Sequence, residues 1–210
     1  MADTKDLSIQ QGKTFTLVIR WEVNPIVYKA ITGISLAFGA PRLTVVGHGC
    51  PSGWRAAVTR VKSPKQINAE NNPLKESDYH SVTVIDVDTV EFNDMVPCDD
   101  NGIEWPSYSD GGFFQYNSPV DITGYSARMK IKDKVGGTVL ASTESEDAPL
   151  NVLSIALDAA NKTITLSIAA TDSDDFAWTK GVYDLEMVSP SGGVTEIMSG
   201  KVSVTKEVTT

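Results

Sequence analysis

The sequence predicts an all-β protein. Apolar and polar residues alternate with a period of two along most of the chain, whereas the three- and four-residue spacing of a long amphipathic helix is nearly absent. Glycine, proline, asparagine and aspartate separate the alternating segments, as they do at turns between antiparallel strands. With 41% hydrophobic residues among 210, the chain is long enough to bury an ordinary core in one large or two small domains.

Two segments show the alternation most clearly. In KTFTLVIRWE (13–22), the apolar residues fall on one face of an extended strand: Phe15, Leu17, Ile19 and Trp21. In GYSARMKIKDK (124–134), the corresponding set is Tyr125, Ala127, Met129 and Ile131. Each pattern predicts a strand with one buried and one solvated face.

The rest of the carboxy-terminal half predicts further antiparallel strands. VGGT (135–138) and DAANK (158–162) are typical of chain reversals. We expect strands at VLAST, LSIAL, TITLSIA, VYDLEMV, VTEIMSG and KVSVTKEV. One short helix is predicted at TDSDDFAW (171–178), where Thr171 is the expected N-cap and aspartates lie near the positive end of the dipole. Phe176 and Trp178 are expected to cover the sheet edge.

These signals predict two domains. The strands after Asp121 suffice for a sheet-on-sheet β-sandwich if the strand at 13–22 joins them. We therefore predict a discontinuous β-sandwich domain, residues 1–24 and 117–210, and an inserted small β-rich domain, residues 25–116. The insertion contains seven of the ten prolines, both cysteines and both histidines. It also has its own strand signals: PRLTVVGH, WRAAVTRV, HSVTVID and TVEFND.

Charge and composition exclude several classes of partner. A net charge of −9 and a pI near 4.7 disfavour attraction to nucleic acid or to an anionic membrane. The amino terminus lacks the apolar core of a signal peptide, and no later stretch is long and apolar enough to span a bilayer. We expect a soluble protein made in the cytoplasm. Two cysteines are too few for a disulfide scaffold.

GHGCPSGW (47–54) is the segment that most invites a chemical interpretation. His48 and Cys50 stand two residues apart, as in a Cys-His nucleophilic dyad or a pair of metal ligands. Three glycines and Pro51 favour a turn between two strands instead. Four clustered zinc ligands are not found, because His80 and Cys98 are isolated. We therefore predict no catalytic residue, no metal and no cofactor, and we leave a disulfide between Cys50 and Cys98 open.

Three other segments suggest binding. CDDNGIE (98–104) offers oxygen ligands around a glycine but lacks EF-hand spacing, so a solvated loop is expected rather than a calcium site. A basic group is interpreted as a solvated strand face: Arg55, Arg60, Lys62 and Lys65. WPSYSDGGFFQYNSP (105–119) is rich in aromatics. They either anchor an interface through Trp105, Tyr108 and Tyr116, or pack a domain junction through Phe113, Phe114 and Tyr116.

The carboxy-terminal half resembles an immunoglobulin-like β-sandwich module of tailed-bacteriophage virion proteins, similar to the amino-terminal module of upper baseplate proteins. The likeness covers PVDITGYSARMKIKDKVGGTVLAST and the segment from ITLSIAATDSDD to KVSVTKEVT. Its pattern positions are Asp121, Thr123, Gly124, Gly181, Tyr183, Asp184, Leu185, Glu186, Gly200 and Val208, with Ile122 in place of the usual leucine. The inserted LTVVGHG and VTVIDVDTVEFN are also similar to a small β-module of phage tail proteins.

This resemblance implies a non-enzymatic structural protein of the virion, assembled in the host cytoplasm. It implies an adaptor, attachment or decoration subunit of the tail, neck or baseplate, present in several copies and bound to other virion proteins. Alternatives are a capsid decoration protein, or a receptor- or glycan-binding appendage that uses Trp105, Tyr108 and Tyr116. A hydrolase using Cys50, His48 and His80 is the alternative from a different class.

Overall fold

The computed structural model describes residues 3–37 and 39–207, and their architecture is predominantly β. Strands make up 49% and helices 7% of these residues, which confirms the all-β prediction. In chain order the strands are β1 (Asp3–Thr4), β2 (Leu7–Gln10), β3 (Phe15–Arg20), β4 (Glu22–Ala30), β5 (Gly33–Ser35), β6 (Arg42–Thr44), β7 (Arg55–Val61), β8 (His80–Asp86), β9 (Thr89–Phe92), β10 (Gly111–Pro119), β11 (Ser126–Lys132), β12 (Val139–Ser142), β13 (Leu153–Asp158), β14 (Thr163–Ile168), β15 (Lys180–Val188) and β16 (Val194–Thr205).

The described helices are short. Three are single 3₁₀ turns, at Lys65–Ile67, Glu76–Asp78 and Ser145–Asp147, and one is α-helical, α1 at Ala170–Asp174. Helix α1 begins before the predicted N-cap Thr171, because Ala169 is the extended residue at its start and accepts the Ser173 backbone N–H at 3.0 Å. The Ser173 hydroxyl is buried and donates to the Lys13 carbonyl at 2.9 Å, which ties the helix to the turn before β3. No described helix is long and apolar enough to cross a membrane.

The chain divides into two compact units, Met1–Trp21 with Asp121–Thr210, and Glu22–Val120. They are called here the discontinuous unit and the inserted unit. The domain boundaries predicted from the sequence lie at 24/25 and 116/117.

The discontinuous unit contains two sheets. The larger has the order β1-β16-β15-β11-β12, with β2 also paired to β16, and the smaller has the order β13-β14-β3. Alternation sets which face is buried, because Met129 and Ile131 of β11 and Leu185 and Met187 of β15 are buried while their chain neighbours are more exposed. In the smaller sheet, β14 buries Ile164, Leu166 and Ile168.

One long strand replaces two predicted ones at the carboxy terminus. VTEIMSG and the first five residues of KVSVTKEV form the single twelve-residue strand β16, Val194–Thr205. Its pairing with β15 shifts by one residue between Leu185 and Glu186, where Ile197 of β16 is left without an opposite residue, and the pairing continues on both sides of this bulge. The amino-terminal strands β1 and β2, which the alternation did not predict, pair with β16 in parallel.

The inserted unit is a single curled sheet of order β4-β10-β7-β8-β9-β6-β5. The strands at the two ends of this order, β4 and β5, are consecutive in the chain and are joined only by Ile31 and Thr32. The Ile31 N–H bonds to the Gly112 carbonyl of β10 and the Thr32 N–H to the Thr44 carbonyl of β6. The stretch β4–β5 therefore pairs with β10 through one half and with β6 through the other, and it closes the sheet into a small barrel.

The barrel interior is the apolar core of the inserted unit. Its largest fully buried side chains include Trp54, Phe92, Phe114 and Leu43. The Trp54 indole N–H finds a polar partner in the Asn117 carbonyl at 3.1 Å, as a buried indole requires. Phe92 and Phe114 stack with ring centroids 6.2 Å apart.

Candidate binding cleft

A cleft of about 620 Å³ opens on the outside of the barrel wall formed by β4, β10 and β7. This volume lies within the roughly 300–1,000 Å³ typical of small-molecule sites. The strands contribute the floor of the cleft: Ile26, Tyr28, Thr59, Arg60, Phe113 and Gln115. The segment after β7 contributes the rim: Ala69, Glu70, Asn71, Asn72, Pro73, Leu74 and Tyr79.

Strand register explains which aromatic residues face the cleft. Gln115 pairs with Tyr28 of β4, and Phe113 pairs with Ala30 of β4 and Thr59 of β7. Because adjacent residues of a strand point to opposite faces, Phe113 lies outside while Phe114 is fully buried. Tyr28 is 59% exposed and Phe113 38% exposed, so the floor presents two aromatic rings to solvent.

Asp78 organises the rim. Its side chain is buried and accepts backbone N–H groups from Lys75 at 2.7 Å, Glu70 at 3.0 Å and Asn71 at 3.3 Å. The Asn71 amide adds a further bond at 3.1 Å. These bonds, that of Lys75 foremost, hold the pKa of Asp78 below its usual value. An ionised Asp78 therefore fixes the backbone of the rim at neutral pH.

Arg60 enters the floor from an unusual backbone conformation. Its φ of 62° lies in the left-handed region that favours glycine. The facing strand packs closely on this residue, because a Cβ at Gly111 would approach the Arg60 carbonyl to 3.0 Å. Such strained positions concentrate at functional sites, and this one lies in the wall of the cleft.

Several polar groups of the cleft have no partner among the residues that the structure describes. Within residues 3–37 and 39–207, the side chains of Tyr28, Arg60, Glu70 and Asn72 make neither a hydrogen bond nor an ion pair. Gln115, by contrast, is buried and donates its amide to the Thr59 hydroxyl. The cleft thus combines aromatic faces with unused neutral donors and acceptors and with one charge of each sign.

In GHGCPSGW, both ring nitrogens of His48 form hydrogen bonds with backbone groups. Its Nδ1 accepts the Cys50 backbone N–H at 3.0 Å and its Nε2 lies 2.9 Å from the Asp86 carbonyl. Because Nδ1 is an acceptor, the proton is on Nε2, which donates to Asp86. Nδ1 of this buried imidazole is bonded within the turn and Nε2 to the end of β8, so the ring holds the turn against that strand.

Cys50 and Cys98, between which the sequence leaves a disulfide open, are not bonded to each other. Cys50 is buried, with its Sγ 3.6 Å from the Pro51 carbonyl. Cys98 is partly exposed and forms an isolated bridge with Glu104.

Of the three aromatic residues predicted as interface anchors, Tyr116 lies in the barrel core, whereas Trp105 and Tyr108 are partly buried against it. Tyr116 is only 4% exposed and donates to the His48 carbonyl at 2.7 Å, so it is a core residue and not an exposed anchor. Burial raises the pKa of Tyr116 to about 12. Tyr108 donates to the carbonyls of Ile31 and Gly111, both at 3.0 Å. Trp105 is partly buried and packs against the same core.

The remaining candidate groups are used locally. In CDDNGIE, one oxygen of Asp99 accepts the N–H groups of Asn101 and Ile103, both at 2.9 Å, and so caps the loop. Arg55 forms two bonds with Glu22, at 2.9 and 3.0 Å. Lys62 pairs with Asp110 at 2.6 Å.

His80 lies with Nδ1 3.2 Å from Asp94. Among the described residues, no three His, Cys, Asp or Glu side chains are grouped so as to hold a metal ion.

Neither the protein-family models nor the curated proteins with which the sequence was compared give a match.

Sequence reasoning missed the cleft. The prediction that Phe113 packs a domain junction with Phe114 and Tyr116 overlooks their spacing in GGFFQY. In a strand, that spacing puts Phe113 on the face opposite to Phe114 and Tyr116. No strand was predicted at β4, so Tyr28 was not considered. The rim carries no periodic signal at all, because Asp78 orders it through contacts with groups three to eight residues away.

Proposed function

We propose that the chain is a non-enzymatic structural component of a tailed-phage virion, an adaptor, attachment or decoration subunit of the tail, neck or baseplate. The discontinuous unit is proposed to be its immunoglobulin-like sandwich. The main support for the proposal is that several residues of the phage-module pattern lie in turns or close contacts of this unit that allow few other residue types.

Asp121, Thr123 and Gly124 form the turn that enters β11. One Asp121 oxygen accepts both the Thr123 N–H at 3.2 Å and the Thr123 hydroxyl at 2.8 Å. Gly124 has a φ of 74°, and a Cβ there would approach Pro190 to 3.0 Å. The pattern of acid, hydroxyl and glycine is thus explained by turn geometry.

The pattern positions in β15 and β16 anchor the amino-terminal segment. Tyr183 donates its hydroxyl to the Lys5 carbonyl at 2.6 Å. A Cβ at Gly200 would lie 2.3 Å from the same carbonyl oxygen, so only glycine allows the chain to cross there. Gly181 packs closely on β11, where a Cβ would approach Ile131 to 2.8 Å. Val208, the last pattern position, lies outside the described residues.

Open strand edges support assembly with other subunits. Among described residues, β3 and β13 each pair only with β14, so the smaller sheet of the discontinuous unit ends in two strands with one neighbour apiece. Val18 on β3 is 47% exposed. An unpaired edge with an exposed apolar residue suits docking of a further strand, which is how we propose the unit binds virion neighbours and copies of itself.

The engagement of His48 supports a non-enzymatic role over the hydrolase alternative. A general base needs a nitrogen free to take the proton of its nucleophile. Here Nδ1 holds the Cys50 backbone N–H and Nε2 the Asp86 carbonyl.

The test is made on purified virions of the tailed phage that we propose encodes the chain. We expect quantitative mass spectrometry to find the chain in a fixed multiple copy number per particle. We also expect a Cys50→Ala phage to assemble and infect normally. Absence of the chain from purified particles, or Cys50-dependent hydrolysis of an ester or peptide by the isolated protein, would contradict the proposal.

A further inference from the structure

We propose that the cleft on the barrel wall of the inserted unit is a binding site for a neutral saccharide, with Tyr28 and Phe113 as its stacking platform. This goes beyond the proposed virion role and does not depend on it.

The platform follows from strand geometry. Tyr28 and Phe113 occupy diagonal positions on adjacent strands, because Tyr28 pairs with Gln115, two residues from Phe113. Diagonal side chains on one face of a sheet lie within reach of each other when they are aromatic. Both rings are half-exposed although the barrel has a full apolar core on its other face. A pyranose ring has an apolar C–H face that packs on such rings, while its hydroxyls stay at the edge.

The polar groups around the platform suit hydroxyls. A sugar hydroxyl both donates and accepts, and so do the Tyr28 hydroxyl and the Asn72 amide, which have no partner within the described chain. On the floor, the Gln115 amide donates to Thr59, which leaves the Gln115 carbonyl oxygen as an acceptor. A neutral polyhydroxyl ligand therefore finds matching groups at the rim and at the floor.

The charges of the site favour a neutral ligand. Arg60 and Glu70 both line the cleft and neither is paired with a protein group in the described residues, so the lining carries one positive and one negative charge. The net charge of the whole chain is −9, which opposes binding of a polyanion. Arg60 can donate hydrogen bonds to sugar hydroxyls and Glu70 can accept them, so neither group requires a charged ligand.

The rim is ordered before any ligand arrives. Asp78 holds the backbone at Glu70, Asn71 and Lys75 by three hydrogen bonds. A rim that is already fixed avoids part of the entropic cost of binding, which matters for a small ligand with few contacts.

The experiment uses the intact chain and a panel of neutral disaccharides: lactose, maltose, cellobiose and N,N′-diacetylchitobiose. Binding is measured by saturation-transfer NMR and titration calorimetry, with sialyllactose and a tetra-alanine peptide as the acidic and peptide probes. We expect at least one neutral sugar to bind with a Kd of about 10 mM or tighter, and more tightly than either other probe.

Variants locate the binding. Tyr28→Ala and Asn72→Ala are each expected to weaken the sugar at least about tenfold. Ile103→Ala, at a residue 64% exposed outside the cleft lining, is the matched control and is expected to leave the affinity unchanged. Thermal unfolding confirms that each variant folds.

The proposal is overturned if no neutral sugar of the panel binds, if the peptide or the acidic sugar binds more tightly, or if folded Tyr28→Ala and Asn72→Ala proteins bind as the parent does. Because the assay uses the isolated chain, these outcomes leave the virion proposal untouched.

Discussion

The hydroxyl of Tyr116 donates a 2.7 Å hydrogen bond to the backbone carbonyl of His48. Both residues are buried, and the bond joins strand β10 to the turn at 47–54 across 68 positions of sequence. Together with the His48 ring bonds to Cys50 and Asp86, it makes the GHGCPSGW segment a fixed corner of the barrel.

Tyr116→Phe removes the hydroxyl from this bond and should destabilise the protein. The variant leaves a buried carbonyl with one bond fewer, so the free energy of unfolding is expected to fall by about 1–3 kcal/mol. Urea denaturation measures the change. Tyr28→Phe, which removes an exposed hydroxyl, is the control and should stay within about 0.5 kcal/mol of the parent. Equal stabilities of Tyr116→Phe and the parent would contradict a structural role for the bond.

The same tyrosine predicts a dependence of stability on alkaline pH. Burial raises the pKa of Tyr116 from 10.0 to about 12. Its contribution is complete below pH 10, where both states are protonated. Between about pH 10 and 12 the unfolded chain loses the proton and the native protein keeps it, so stability falls as pH rises.

Comparison with Tyr116→Phe isolates this effect, because the other titrating groups are common to both proteins. We expect the stability advantage of the parent over the variant to shrink from about pH 10 to 12. An advantage that grows with pH in that range would contradict the assignment.

Thiol reactivity should separate the two cysteines. Cys98 is partly exposed and Cys50 is buried. We therefore expect Ellman's reagent to modify Cys98 in the native protein and both cysteines after unfolding without reductant. Cys98→Ser is the control, and it should abolish the native reaction. Failure of the unfolded, unreduced protein to react would indicate a disulfide and would contradict this prediction.

Gly200→Ala should loosen the amino-terminal strands. The alanine Cβ would meet the Lys5 carbonyl oxygen at 2.3 Å, and a backbone atom cannot move aside as a flexible side chain can. We expect a loss of about 1–3 kcal/mol in the free energy of unfolding and faster amide exchange across β1 and β2. Gly193→Ala, where the nearest atom is the movable Ser189 hydroxyl at 3.1 Å, is the milder control. Unchanged exchange at residues 3–10 in Gly200→Ala would show that the crossing tolerates a side chain.

Strands that alternate regularly were predictable from sequence alone. Met129 and Ile131 of β11 are buried while Arg128 is exposed, as the pattern of GYSARMKIKDK requires. The amino-terminal strands were missed because their pairing partner, β16, is nearly two hundred residues away and four or fewer residues leave little periodicity. Local spacing also could not tell one long strand from two at β16.

The turn at 47–54 was correctly favoured from its glycines, but the cleft was not predictable. Closure of the barrel depends on hydrogen bonds from Ile31 to β10 and from Thr32 to β6. No local sequence pattern predicts these pairings. Tyr28 becomes a surface ring of a cleft only once β4 pairs with β10. Asp78 likewise has no local signal in the sequence, because its role depends on the backbone N–H groups of Glu70 and Lys75 that it accepts.

A cryo-EM reconstruction of the virion to which the chain is proposed to belong tests the central claim most directly. The account predicts density for both all-β units at symmetry-related positions on the tail, neck, baseplate or capsid, with the discontinuous unit in contact with neighbouring virion proteins. A complete map of the mature particle in which every density is accounted for by other chains would contradict it.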